Sequence, residues 1–271
     1  MSQLHGCKLK LRTGHLKLNV RQELILAQLI GKEYVSVESL SLHFDMAAQT
    51  IRRDITKLCD LGLARRHHGG VGLLPRAENL SFGNRRIINA QEKELIAQRI
   101  ASFIPDHSSI ALGIGSTVEA IAKQLRPKKG LKIITNNLNV ASIFFQQSDI
   151  EVLVSGGNLR PADQDLIGEQ TVQFFNRFHV DFAIVSVGSL DIQRGLMDFD
   201  LDNADITRAI LNNAEHKILA ADGSKWNKKA FAKVADFSNI DYFFTDQMDN
   251  VVIAEQLQQH NIEITTCSED T

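Results

Sequence analysis

The chain has 271 residues, 44% of them hydrophobic and 23% charged, with a net charge of −2. That is enough for one large or two ordinary domains of an ordinary globular protein, and no apolar run approaches the roughly 20 residues of a membrane span. No membrane partner is expected for want of such a run, and its three cysteines, Cys7, Cys59 and Cys267, lie far apart with no CxxC or Cys/His spacing, so free thiols in a reducing cytoplasm are expected, with no zinc site. The net charge conceals an asymmetry. Residues 1–76 carry 12 Lys/Arg against 6 Asp/Glu (+6), and the remainder carry 18 against 26 (−8). A basic head on an acidic body places any polyanion contact at the N-terminal end.

Residues 1–19 are set apart as a basic extension, in which Lys8, Lys10, Arg12 and Lys17 alternate with Leu9, Leu11, Leu16 and Leu18. An arm touching DNA, a disordered extension and a misplaced start codon all fit it. A secretory signal does not, because a continuous apolar core and a cleavage site are missing. Residues 20–74 read as a DNA-binding domain. Val20 to Ile30 is a helix with Leu24, Ala27 and Leu29 or Ile30 available for packing. Val37 to Phe44 is a second helix, capped by Ser36, and Asp45-Met46 supplies a turn. Ala47 to Leu61 is a third. At 100° per residue its Ile51, Ile55 and Leu58 form one stripe, while Gln49, Arg52, Arg53 and Thr56 take the opposite side with Thr50 and Lys57 on its flank. Arginine forks and side-chain amides are the groups that read base edges and phosphates in a major groove. Helix, tight turn and helix make a helix-turn-helix. Gly62 is placed to stop the helix. Arg65, Arg66, His67, His68, Gly69 and Gly70 then fit the β-hairpin of a winged helix, although a pair of arginines alone fits a solvated face as well.

Residues 75–91 read as a linker, interrupted by Pro75, Asn79, Gly83 and Asn84 and kept solvated by Arg76, Arg85 and Arg86. Residues 92–271 form the second domain. A helix from Glu92 to Phe103, with Leu95, Ile96, Arg99 and Ile100 at helical spacing, is stopped by Pro105. Short apolar runs follow at Ser109–Ile114, Leu131–Ile134, Ile150–Val154, Asp181–Val187 and Lys217–Ala221, with helices at Val118–Leu125 and Asn139–Gln147. Alternation of this kind predicts an α/β fold with a mostly parallel sheet and ligands at the carboxyl ends of its strands.

Those ends are rich in small and polar residues. Gly113, Gly115, Ser116 and Thr117 form a glycine-rich strand-to-helix junction that suits a phosphate, or simply lets strand and helix pack closely. It is neither a dinucleotide fingerprint nor a P-loop. Asn136 and Asn137 suit sugar hydroxyls or satisfy their own turn. Gly156, Gly157 and Gly188 sit at other strand ends, and Lys225 is placed to neutralise a phosphate. Catalysis is the alternative reading: a sugar-phosphate isomerase-like enzyme fused to a DNA-binding head. Asp198, Asp200, Asp222 and Lys225 are available for proton transfer, but nothing in their spacing brings them together, and there is no nucleophile motif, metal cluster or second nucleotide loop. No catalytic residues and no cofactor are expected.

Two sets of residues carry a resemblance to a known family. Val35-Ser36, Gln49-Thr50-Ile51-Arg52-Arg53-Asp54, Gly62 and Arg66-His67-His68-Gly69-Gly70 resemble the DNA-binding signature of the DeoR family of bacterial transcription regulators. Gly113-x-Gly115-Ser116-Thr117, Thr135-Asn136-Asn137, Gly156-Gly157, Gly168-Glu169, Asp181-Phe182 and Asp222-x-Ser224-Lys225 resemble that family's sensor domain. The resemblance covers about residues 20–266. It implies a winged helix-turn-helix followed by an α/β sensor similar in fold to ribose-5-phosphate isomerase and the coenzyme A transferases. It further implies binding to a double-stranded DNA operator under control of a phosphorylated sugar or polyol, and because a single helix-turn-helix reads only a few base pairs, a homodimer or homotetramer is expected. The chain departs from the family pattern at Ala47-Ala48, which leaves Asp45 as the alternative cap, and at Asn203-Ala204, where an acidic residue precedes the alanine in the family.

Overall fold

The structure is a computed structural model and describes residues 18–29, 34–61, 63–72, 85–86, 88–226, 228–248 and 251–267. The chain divides between Leu74 and Pro75 into two compact units.

The first unit contains α1 (Val20–Leu29), β1 (Val35–Ser36), α2 (Val37–His43), α3 (Ala48–Asp60), β2 (Arg65–His67) and β3 (Gly70–Gly72). A capping box opens α1. The Asn19 side chain accepts from the Gln22 amide at 2.9 Å, and the Gln22 side chain accepts from the Asn19 amide at 3.1 Å. Leu18 is buried, so residues 18 and 19 belong to the folded unit rather than to the expected extension. The rest of that extension, Ile30, the Ala27 side chain and Gly62 lie outside the described residues. α1 buries Ile25, Leu26 and Leu29, whereas Leu24 is half-exposed. Ser36 caps α2, accepting from the Ser39 amide at 3.0 Å. Asp45 does not cap α3. It takes a left-handed conformation (φ 48°) in the turn, and Ala47 occupies the cap position without a side-chain bond. The Leu63 amide closes the far end of α3 on the Leu58 carbonyl at 2.9 Å.

α3 buries Ile51, Ile55 and Leu58 as its periodicity predicts, and Asp54 with them. Burying a carboxylate without partners is costly. Here it accepts from Gln22 Nε2 at 2.7 Å and from Arg21 Nε at 2.6 Å. These two bonds fix the orientation of α3 on α1.

The second unit is a seven-stranded sheet, all of whose pairings are parallel, in the order β15-β14-β12-β9-β4-β5-β6. The strands are β4 (Ser109–Leu112), β5 (Lys132–Thr135), β6 (Glu151–Val154), β9 (Val180–Val185), β12 (Ala214–Ala220), β14 (Tyr242–Thr245) and β15 (Glu263–Thr266). Helices α4 (Ala90–Phe103), α5 (Ser116–Leu125), α6 (Leu138–Ile143), α7 (Glu169–Phe175), α8 (Leu201–Asn212) and α9 (Val251–Gln259) punctuate them. Alternate strand residues serve two cores. Ile110, Leu112, Ile184 and Ile218 pack with α4 and α5, while Ala111, Ala183, Val185 and Leu219 pack with α8. Two antiparallel pieces were not expected: the hairpin β7 (Asn158–Arg160) with β8 (Asp165–Ile167), and the small sheet of β10 (Ser189–Asp191), β11 (Gly195–Asp198) and β13 (Ala232–Ala235). The element bounds also move. β4 ends at Leu112 rather than Ile114, α5 begins at Ser116, and α4 begins at Ala90 within the expected linker. No described helix is long and apolar enough to cross a membrane.

Replacing Asp54 by Ala strands the buried Gln22 amide and frees α3 from α1. It is expected to cost the first unit about 2 kcal/mol, read as an earlier urea transition of that unit; an unchanged transition would show that the two bonds do not hold the helices together.

Candidate functional site

On the first unit, Gln49, Arg52, Arg53 and Thr56 are exposed on α3 and Thr50 is partly exposed. The Thr56 hydroxyl is already engaged. It donates to the Arg52 carbonyl at 2.8 Å and accepts from Arg66 Nη2 at 2.5 Å, tying the hairpin to the helix. β2 and β3 pair antiparallel, with Arg65 opposite Gly72, Arg66 opposite Val71 and His67 opposite Gly70, and β3 also pairs with β1. The turn between them is His68-Gly69, with Gly69 at φ +77°. A side chain at residue 70 would meet the Val35 carbonyl at 2.3 Å, so β1 and the wing close only around glycine. Arg65, Arg66, His67 and His68 are all exposed. Arg52, Arg66, His67 and His68 border a hollow of about 460 Å³, floored by Val37 and Ile55. Ser36 is partly exposed at the α2 cap, its hydroxyl committed to Ser39. Cationic forks on one helix face and along an adjoining hairpin form a surface suited to duplex DNA.

The second unit contains a cavity of about 400 Å³. Its position follows from strand order. From β4 the sheet runs one way to β5 and β6 and the other way to β9 and β12, so the loops after β4 and β9 diverge and leave a crevice. Gly115, Ser116 and Thr117 enter it after β4, and Ser186 and Gly188 after β9. Asp198 enters at the end of β11 and Phe199 and Asp200 just after it, and Asp222, Ser224, Lys225 and Lys228 after β12. Gly115 (φ 117°) precedes α5 without any side-chain cap, so the first-turn amides of that helix are available at the cavity wall.

Five cationic side chains (Arg85, Lys93, Arg160, Lys225, Lys228) and four carboxylates (Asp163, Asp198, Asp200, Asp222) line this space. One cluster surrounds Asp222. Burial opposes its charge, but Lys225 and Lys93 outweigh that and hold its carboxyl below the usual carboxylate range. Burial lowers the ammonium groups in return: Lys93 and Lys228 each to about 8, and Lys225 below its ordinary value despite Asp222. The other cluster surrounds Arg160. Its guanidinium donates to Asp165 at 3.0 and 2.6 Å and to Asn203 Oδ1 at 2.6 Å, and faces Asp163 and Asp200 at 3.3 and 3.4 Å. Asn203 in turn donates to Asp198, whose carboxyl is raised chiefly by burial. The cavity therefore presents an anion-attracting side beside a wall of hydroxyl-binding acceptors.

Gly115, Ser116, Thr117, Gly188 and Lys225 line the cavity, and the other residues expected at a ligand do not. Asn136 and Asn137 follow β5, and Gly156 and Gly157 follow β6, on the far side of the strand reversal. Asn136 donates to the Leu166 carbonyl at 2.9 Å and pins the β7–β8 hairpin. Asn137 caps α6, accepting from the Asn139 and Val140 amides. A side chain at residue 157 would sit 2.4 Å from the Thr171 hydroxyl, so close packing accounts for that glycine. Gly113 extends β4, its amide bonding the Ile184 carbonyl.

Arg85, Lys93, Arg160 and Lys228 were not anticipated. Arg85 is partly buried and pairs with Asp163, so it is not a solvated linker residue, whereas Arg86 is exposed as expected while its Nε reaches the buried Glu119 at 2.7 Å. Lys93 had a readable signal: it shares the buried stripe of α4 with Ile96, Ala97 and Ile100, whereas Arg99 is exposed.

Comparison with known proteins agrees with both halves. Residues 21–76 match the DeoR-like helix-turn-helix domain, and residues 88–247 match the DeoR C-terminal sensor domain. The chain is 35% identical over 252 residues to the glycerol-3-phosphate regulon repressor of Escherichia coli K12, covering 93% of this chain and 100% of that one. It is 34% identical to the transcriptional repressor CsqR of the same organism, covering 93% and 97%. Among solved structures, ribose 5-phosphate isomerase A of Methanocaldococcus jannaschii aligns over 52% of this chain and 56% of its own, at 17% identity and a TM-score of 0.38. With a helix-turn-helix model and a sensor model matched in order, and relatives aligned over nearly the whole length, the chain belongs to the DeoR family of transcriptional regulators.

Proposed function

We propose that this regulator represses a sugar or polyol catabolic operon and leaves its operator when a phosphorylated sugar or polyol fills the cavity of the second unit. The observation that carries this reading is the cavity itself, lined by an uncapped helix start and a cluster of lysines on one side and by several acceptors beside them. A phosphate ester seated at Gly115, Ser116 and Thr117 is balanced by Lys93, Lys225 and Lys228, while Asp198, Asp200 and Asn203 take its hydroxyls. Glycerol 3-phosphate is the first compound to consider, because a relative named for that regulon aligns along nearly the whole chain.

On the DNA side, Gln49, Thr50, Arg52 and Arg53 read base edges, and Arg65, Arg66, His67 and His68 follow the backbone, with Thr56 holding Arg66 in place. Ser36 contributes at the start of α2. One winged helix covers only a few base pairs, so two or four copies act together on repeated half-sites in the cytoplasm. Release is a linkage effect, requiring the effector to bind the DNA-incompetent state more tightly.

Arg52→Ala is expected to lower affinity for the upstream operator by a factor of at least about ten with the fold intact; wild-type affinity in the folded variant would remove α3 from base reading. The second measurement is retention on that DNA with glycerol 3-phosphate, fructose 6-phosphate and inorganic phosphate, over pH 7 to 9. One ester should release the protein, and its affinity should fall as pH rises. Burial pushes the Lys93 and Lys228 ammonium groups down to about 8, and a bound anion favours the protonated forms. The ester stays dianionic throughout, its second pKa being about 6. A flat profile would remove both lysines from the binding set, and operator binding that no ester disturbs would overturn the effector class.

A further inference from the structure

The residues immediately ahead of α4 are tied down at and beside the cavity by four separate attachments. Arg85 pairs with Asp163, and Arg86 Nε bonds Glu119 Oε2 at 2.7 Å. Asn89 donates from Nδ2 to Asp222 Oδ1 at 2.9 Å. Lys93 Nζ, one helical turn on, reaches back to the carbonyls of Arg85 (2.6 Å) and Ile88. Arg85, Ile88 and Lys93 line the cavity, while Arg86 and Asn89 do not.

Each attachment ends on a group with another electrostatic task. Asp222 is the counter-charge of Lys225 and Lys93. Asp163 also faces Arg160. Glu119 is nearly buried on α5, three residues beyond the Ser116 that begins it, and is shared with Lys123 at 2.9 Å. Asn89 is held in the left-handed region (φ 51°, ψ 43°) at the cap position of α4, a conformation that asparagine tolerates better than most residues. Followed backwards along the chain, these residues lead to the DNA-binding unit.

We propose that Arg85, Arg86, Ile88 and Asn89 form a strap that transmits the state of the cavity to the DNA-binding unit. The strap, fastened as these bonds hold it, favours operator binding, and it is loosened when an anionic effector draws Lys93 Nζ away from the Arg85 and Ile88 carbonyls. This rests on the anion-binding reading of the cavity. The chemistry is a competition for donors: Lys93 has three N–H groups and two are spent on strap carbonyls, so an anion that recruits them leaves those carbonyls without their partner. Asp222, bonded by Asn89 on one side and facing the lysines on the other, is perturbed by the same event.

The strap makes a reciprocal prediction that a binding residue does not. Asn89→Gly keeps the left-handed backbone, removes the Asp222 bond and touches no cavity wall. Loosening the strap in the empty protein should weaken operator binding and tighten effector binding together, each by about tenfold. The test uses the full chain. It measures operator affinity without effector, and binding of glycerol 3-phosphate, fructose 6-phosphate and inorganic phosphate by calorimetry. Hydrogen exchange of peptides carrying Arg85 to Lys93 should rise in the wild type when a compound binds. Arg86→Gln, which removes the Glu119 pair, should move both affinities in the same directions and serves if Asn89→Gly does not fold. Opposite shifts in the two affinities support the strap. Two unchanged affinities, two weakened ones, or effector binding without a change in exchange would overturn it while leaving the cavity reading intact. A wild-type protein that binds none of the three compounds would overturn both.

Discussion

Much of the second unit is shaped by the difficulty of keeping ammonium groups charged out of water. Lys225, Lys93 and Lys228 are each pushed below their ordinary range by burial, and Asp222 is the carboxylate common to all three. Asp222 is itself fixed from several directions. It accepts from the Ser224 amide at 3.0 Å and from Asn89 at 2.9 Å, and its loop is anchored where the Gly223 amide donates to Asp246 at 2.7 Å. Elsewhere the protein balances a buried charge more completely: Arg160 has Asp165 bidentate and two further carboxylates within reach. The cavity is therefore asymmetric, satisfied around Arg160 and short of negative charge around Asp222. The anionic effector proposed for the cavity would balance that side, with a larger gain than at the surface because the groups are already desolvated.

The first unit solves a related problem with opposite economy. α3 must expose a cationic face and still sit rigidly, and its apolar stripe is only Ile51, Ile55 and Leu58. Asp54 adds a directional anchor to that stripe, since two hydrogen bonds set rotation where packing alone would leave slack. The same logic continues in the hairpin. Arg66 is held by Thr56, and Tyr34 packs edge-on against His67 while its hydroxyl donates to the His68 carbonyl at 3.3 Å. These exposed side chains are thus held in place by the protein itself, and groups positioned in advance reduce the ordering cost of any binding.

What the sequence revealed depended on how local each feature is. The helix-turn-helix was legible because its pattern is carried by a 3.6-residue period and short turns, and the strand–helix alternation because each unit announces itself within about 30 residues. Asp54 and Lys93 were readable in principle, each being a charged residue inside an apolar stripe, a position that requires dedicated partners. Strand order was not legible, since parallel pairing joins residues far apart in the chain. That one unknown left Asn136, Asn137, Gly156 and Gly157 indistinguishable from the residues that line the cavity. They follow strands as those residues do, but β5 and β6, beyond the reversal. Glycine and asparagine at strand ends report a tight local backbone whether or not a ligand is near. The cap of α3 failed for a different reason. Asp45 has the right chemistry for a cap, but its backbone makes the turn between helices, and Ala47 is left at the helix start.

The position of the ion clusters also bears on how a small anion can act at a distance. A ligand moves an equilibrium only through contacts that differ between the two states. The contacts proposed at Ser116 and Thr117, at the start of α5, would add affinity without drawing on any bond made by the end of the linker. Lys93 is different in kind, because its donors are already committed to backbone carbonyls of Arg85 and Ile88, and Asp222 because it already receives Asn89. Binding energy spent there is withdrawn from the polypeptide that leads back to the DNA-binding unit. Placing the linker's end among the charges of the cavity, instead of in solvent, is what converts occupancy into a signal.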